Sequence, residues 1–149
     1  MLGQSMYASK LLERSGMVEC KPCMTPMEER LKLTKASTAA KVDASLYRSI
    51  VSGLRYLVHT RPEITFVVGY VSRFIEDPRE DHWAAVKRLL RYDKGTVDQG
   101  IIFPKTGGSG LQLTVFRVAD MAGDIDGRRS TSGVLVFLGS APISWLSLK

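Results

Sequence analysis

Cysteine, histidine and long apolar runs are all scarce in this chain. It has two cysteines and two histidines in 149 residues. Two cysteines cannot build the disulfide framework of a small secreted scaffold. Two histidines leave little material for a zinc site, which takes four ligands drawn mainly from Cys and His. No run reaches the roughly 18–20 apolar residues that a membrane span needs. The start also lacks a signal-peptide core, because Gln4, Ser5, Ser9 and Lys10 interrupt it. Acidic residues are absent there until Glu13, and Leu2, Met6, Leu11 and Leu12 are spaced amphipathically with Lys10 and Arg14. That pattern fits an ordinary amphipathic helix and, less well, an Arg-poor mitochondrial presequence. Otherwise the expected compartment is cytoplasmic or nuclear.

What is present suits one compact domain or two small subdomains. The apolar fraction of 44% is ordinary for a packed core. Lys and Arg outnumber Asp and Glu by 21 to 15, a net charge of +6. A basic surface favours polyanions such as nucleic acid.

The pattern along the chain reads as α+β: about four helices, then a small antiparallel β-meander. The first helix is expected over residues 4–15, with Gly16 as its C-terminal cap. A proline-bearing polar connection, 18–41, follows. A second helix starts near Asp43 or Ser45, and Leu46, Ile50, Leu54 and Leu57 share one face of it. Arg61-Pro62 ends it, and Pro62 suits the first turn of a third helix. Ile64, Phe66, Val67, Val68, Tyr70, Val71 and Phe74 surround that helix with apolar side chains, so it should be buried. A fourth helix over 79–94 turns Trp83, Val86, Leu89 and Leu90 inward, with Lys87, Arg88, Arg91 and Lys94 outward or at the edge. From Gly100 the period changes. Strands are expected at 100–103, 111–116, 134–138 and 143–145, with a glycine-rich turn at 105–110 and a polar loop at 121–133. These readings place a helical part at 1–104 and the meander at 105–149.

Several small constellations resemble sites without completing one. Cys20-Lys-Pro-Cys23 has redox spacing, but a helix precedes it where a working pair needs a strand before and a helix after. Asp124-Ile-Asp126-Gly127 lacks the third early ligand and the distant glutamate of a calcium loop. His82 at a helix start suits capping or packing.

Three long segments, in order, resemble one family. They begin MYASKLLERSG, DASLYRSIVSGLRYLVHTRPEI and ADMAGDIDGRRSTSG. Tyr47-Arg48-Ser49, His59-Thr60-Arg61-Pro62, Ser72-Arg73-Phe74 and residues 126–133 are the most telling. Together they resemble the C-terminal part of a copia-type retrotransposon polyprotein, from the end of its reverse transcriptase into ribonuclease H. The resemblance implies a polymerase aspartate pair upstream of the matched region. It also implies a ribonuclease H strand reading Tyr-Thr-Asp-Ala-Asp-Trp-Ala-Gly-Asp, whose first aspartate holds Mg²⁺. Here that strand reads Phe116-Arg117-Val118-Ala119-Asp120-Met121-Ala122-Gly123-Asp124. Val118 replaces the metal-holding aspartate, Met121 the tryptophan, and Asp120 is left as a vestige. The family's later carboxylates lie beyond the third strand, past Lys149.

Two-metal hydrolysis needs convergent carboxylates holding ions about 3.5–4 Å apart. Valine offers a hard cation no oxygen. The expectation is therefore a catalytically inactive, retrotransposon-derived protein with no cofactor, Mg²⁺ being expected only for the intact family enzyme. It would act through contacts with host proteins, in a regulatory or toxin-like role. Self-association through exposed strand edges is also expected. The alternative is a weak, non-specific nucleic-acid binder using Lys87, Arg88, Arg91, Lys94, Arg128 and Arg129.

Overall fold

The computed structural model describes residues 1–105, 112–120 and 123–148, the side chain of Asp120 excepted. The expected turn at 105–110 and Met121 fall largely or wholly outside the described residues. Within them the architecture is α+β, as the periodicity indicates. A two-residue strand β1 (Leu2–Gly3) precedes α1 (Ser5–Arg14). Then come α2 (Ala44–Leu57), α3 (Thr65–Val71) and α4 (Glu80–Gly95). The strands β2 (Gly100–Ile101), β3 (Leu113–Asp120), β4 (Thr131–Leu138) and β5 (Ala141–Leu148) complete the order. None of the described helices is long and apolar enough to cross a membrane.

Local chemistry sets the boundaries. Asp43 caps α2 by accepting from the backbone N–H of Ser45 at 2.8 Å and of Leu46 at 3.2 Å. Pro62 opens a single 3-10 turn, Pro62–Ile64, which passes directly into α3. The β-branched run therefore forms only two turns of α-helix before a second 3-10 turn, Ser72–Phe74. Gly16, at φ 69°, ends α1 in the left-handed conformation that glycine adopts without steric cost.

The core sits among the four helices. Leu11, Tyr47, Ile50, Leu54, Leu57, Val86, Leu89 and Leu90 are essentially inaccessible. Ile50, Leu54 and Leu57 of α2 and Val86, Leu89 and Leu90 of α4 thus face inward as expected, Trp83 is half-buried, and Leu46, expected on the inward face at the start of α2, is exposed; α3 is buried at Val67, Val68, Tyr70 and Val71. Phe66 is the exception: it looks outward, toward the meander. Tyr47 also donates its hydroxyl to the carbonyl of Val71 at 2.8 Å, which leaves no unpaired polar atom on this ring in the core.

The strands form two sheets. β2 does not join the meander; it pairs antiparallel with β1, with Leu2 opposite Ile101. The expectation of an initial helix alone missed β1, because two residues carry no periodicity. Gly100 lies so close to the Leu2 carbonyl that a Cβ there would collide with backbone. The second sheet has the order β3-β4-β5, all antiparallel. Its strands are each eight residues long, so each outruns its expected span. Polar or small residues at both ends, such as Arg117, Thr131 and Ser147, hid those extensions from an apolar pattern. The sheet lays one face on α3, and Trp145 on that face donates its indole N–H to the carbonyl of Val58 at 2.7 Å.

A close approach of α1 and α2 supplies a test of the packing. A Cβ at Gly53 would lie 2.5 Å from Leu11 Cδ1, and Leu11 is fully buried. Gly53→Ala should lower the urea midpoint, with overpacking of about 1–3 kcal/mol outweighing a helix-propensity gain of about 1 kcal/mol. A raised midpoint would contradict this packing.

Candidate functional site

The acidic loop between β3 and β4 holds Asp124 and Asp126, and both carboxylates are engaged in contacts with the helical part. Asp124 is 4% exposed. One of its oxygens lies 3.5 Å from the Arg73 guanidinium, and the other accepts the backbone N–H of Gly127 at 3.1 Å. Asp126 accepts the Thr34 hydroxyl and, at 2.8 Å, the backbone N–H of Lys35. Arg73 also donates to Thr131 Oγ1 at 2.9 Å and lies over the Tyr70 ring, 5.0 Å from its centroid. The loop thus closes on the 18–41 connection and the end of α3.

Val118 lies in the middle of β3 opposite Gly133, and its side chain is 70% exposed. Asp120 ends the strand in register with Thr131. On the same face of the sheet Val118 is grouped with apolar Phe116, Leu135 and Trp145 and with polar Thr131 and Ser147, across from Pro62 and Phe66. Together they line a cleft of about 300 Å³ between the meander and α3. A second cleft of about 310 Å³ adjoins it, sharing Phe66 and Thr131 as walls and adding Arg30, Lys32, Tyr70 and Arg73.

The cations singled out in the sequence separate into two groups. On α4, Arg88 donates to Thr25 Oγ1 at 2.8 Å and lies 3.3 Å from Glu28, while Arg91 donates to the Lys21 carbonyl at 2.8 Å. Both fasten the 18–41 connection to α4. Lys87 is half-buried on the same helix, and Lys94 lines a small cleft near its end with Leu12 and Val97. Arg128, at φ 48°, and Arg129 are exposed on the acidic loop. So the six residues do not form one surface.

The sulfur and imidazole groups have structural partners. The Cys23 thiol donates to the carbonyls of Arg88 and Thr25, each at 3.3 Å, beside the C-terminal half of α4. A redox cysteine would sit at a helix N-terminus instead. His82 is fully buried. Its Nδ1 accepts the Arg79 backbone N–H at 3.0 Å, and its Nε2 donates to the Thr34 carbonyl at 2.9 Å. The ring stacks on Phe74 at 4.0 Å, so both nitrogens are occupied.

One buried ionic group was not foreseen. Arg61 and Asp93 are both inaccessible and lie 3.2 Å apart. Arg61 further donates to Glu63, to the Thr96 hydroxyl and to the Thr96 carbonyl. The sequence shows Arg61 only as the residue before a proline; its partner stands 32 positions away, and no short-range signal connects them.

Alignment with known proteins places these features in a lineage. No family profile matches the chain, and no solved structure does. The Retrovirus-related Pol polyprotein from transposon RE2 of Arabidopsis thaliana is 45% identical over 148 residues, 99% of this chain. The chain belongs to the copia-type retrotransposon Pol family. This Pol segment spans 10% of that polyprotein's length. An uncharacterized mitochondrial protein of Arabidopsis thaliana is 41% identical over 97% of the segment, which covers 59% of that relative. The secreted RxLR effector protein 161 of Plasmopara viticola is 43% identical over 69% of the segment, which covers 72% of that relative. The segment is therefore retrotransposon-derived.

The buried Arg61–Asp93 pair carries a pH signature. Burial pushes the Asp93 carboxyl up to about 6, against the opposing pull of Arg61. Asp93 Oδ2 also has no hydrogen-bond partner among the described residues. A carboxyl with a raised folded value binds more protons folded than unfolded. Its stabilising contribution is complete below about pH 4 and is lost as pH rises through about 6. Asp93→Asn should therefore flatten the pH dependence of the unfolding free energy between about pH 4 and 7, by an amount on the order of 1–3 kcal/mol. Parallel profiles for the two proteins in urea titrations would refute the assignment.

Proposed function

We propose that this Pol-derived segment performs no phosphodiester chemistry and acts as a protein-interaction module in a host role, regulatory or toxin-like. The observation that carries the reading is the fate of the acidic loop. Where the family places its metal-holding aspartate, Val118 extends an apolar cleft. The nearby Asp124 and Asp126 make intramolecular contacts with Arg73, Thr34 and Lys35. A metal at this loop would have to break both sets of contacts and would still find no oxygen at position 118.

The outer surface of the meander supports the interaction role. On the face turned away from α3, Leu113 and Val115 at one corner of the sheet and Leu146 and Leu148 at the opposite corner are exposed. Exposed apolar side chains grouped on one surface mark protein contact sites. β3 carries two charged residues, Arg117 and, at its very end, Asp120, and no proline, so most of its outer edge has little of the protection that edge strands ordinarily carry. Host proteins and a second copy of the chain are the partners this surface suits. The secreted-effector name of one relative also supports a host-directed role.

Arg128 and Arg129, both exposed, favour a second reading, weak phosphate contact. Non-specific binding of that kind has dissociation constants of roughly 10⁻⁴–10⁻⁶ M and fades steeply with salt. A duplex shift seen at low salt and weakened by Arg128→Ala would favour it; no shift at low salt would eliminate it.

The inactive reading has a direct test. With Mg²⁺ and a labelled RNA–DNA hybrid, neither the natural chain nor Val118→Asp should cleave. Asp124 and Asp126 remain tied to the helical part in the variant, so one restored carboxylate has no convergent partners. Cleavage by either protein, abolished by Asp120→Ala, would sink the proposal.

A further inference from the structure

The two adjoining clefts between the meander and α3 differ in chemistry, and the difference selects a ligand. The first is apolar, walled by Phe66, Phe116, Val118 and Trp145. Its floor is opened by Gly133, which stands opposite Val118 on one side and Ser147 on the other and offers no side chain. One polar atom here is unsatisfied: Thr65 Oγ1 is buried and has no hydrogen-bond partner among the described residues. The second cleft has three cations, Arg30, Lys32 and Arg73. Arg73 is matched by Asp124. Among the described residues Arg30 and Lys32 enter no ion pair, so the cleft keeps an excess of positive charge. Arg30 also holds φ 56°, a left-handed conformation that is unfavourable for a residue with a side chain.

We propose that this double cleft binds an extended acidic peptide segment, with an aromatic or large aliphatic side chain in the apolar chamber and a neighbouring carboxylate on Arg30 and Lys32. The inference rests on the interaction-module reading and names its partner's chemistry. Each chamber is large enough to admit a side chain with room to spare, and the two share Phe66 and Thr131 as a common wall. That layout suits two side chains from one strand of polypeptide.

A single-stranded nucleic acid is the rival occupant, with a base in the apolar chamber and a phosphate on the cations. The chamber's walls disfavour it. A base buried there would leave most of its hydrogen-bonding edge without partners, and an unsatisfied buried polar group is costly. An apolar side chain loses nothing on entering.

Selection of a displayed random-octapeptide library on the full 149-residue chain tests the proposal. The selected peptides should share an aromatic or large aliphatic residue with an Asp or Glu one to three positions away. Binding of the winning peptide, measured by fluorescence anisotropy, should be unchanged in Thr65→Val, whose hydroxyl lies beneath the wall. Arg30→Gly should weaken it by roughly 1.5- to 5-fold, the range for one exposed charge pair. Gly133→Val should narrow the apolar chamber and weaken binding further. Thr65→Val and Arg30→Gly should unfold at or above the natural chain's urea midpoint, because one removes an unsatisfied hydroxyl and the other relieves a strained backbone. A consensus without a carboxylate, no consensus at all, or affinity indifferent to both Arg30→Gly and Gly133→Val would overturn the inference. So would a single-stranded oligonucleotide that binds more tightly than the peptide and loses affinity in the same variants. Failure here without hybrid cleavage leaves the broader interaction reading standing, whereas cleavage would remove that reading itself.

Discussion

Arg73 ties the two parts of the chain together. Its guanidinium reaches Asp124 and Thr131 from the end of α3 and lies over Tyr70 in the same stroke. A nearly buried guanidinium facing a buried carboxylate is a demanding arrangement. Removing one partner leaves a desolvated charge, and that penalty exceeds what the pair itself contributes. The acidic loop is therefore held to the helical part by an interaction that would be expensive to break. The position of the meander follows from it, and so do the walls of both clefts.

The same constraint underlies the proposal that this segment does no metal-dependent chemistry. A metal site needs carboxylates that are oriented but unengaged. Here Asp124 and Asp126 are oriented by contacts within the chain, and Val118 adds apolar surface. In this structure the geometry of the loop is that of a clasp. Exposed apolar side chains remain on the opposite face of the meander, which fits a segment whose surfaces act by contact.

Periodicity made much of the fold legible. Leu46, Ile50, Leu54 and Leu57 mark one side of α2 whatever packs against them, and Asp43 and Pro62 set local boundaries by their own hydrogen bonding and ring geometry. Phe66 was misread because an all-apolar surround predicts burial but cannot say that the neighbour on one side is a cleft. β1 was invisible, since a pair of residues becomes a strand only when β2 lies beside it. Of the cations, Arg88 and Arg91 looked like a surface set on α4; their carbonyl and carboxylate partners in the 18–41 connection lie 60 or more positions away.

The sequence by itself determined the family, the α+β order of elements and the valine at position 118, because each is written in local spacing or in residue identity. Only the tertiary structure decided that Asp124 and Asp126 serve as a clasp, that Arg61 and Asp93 form a buried pair, and that Arg30, Phe66, Val118 and Gly133 meet at one seam. Those facts depend on contacts between residues far apart in the chain, and a charge or an apolar side chain carries no label for its distant partner until packing brings the two together.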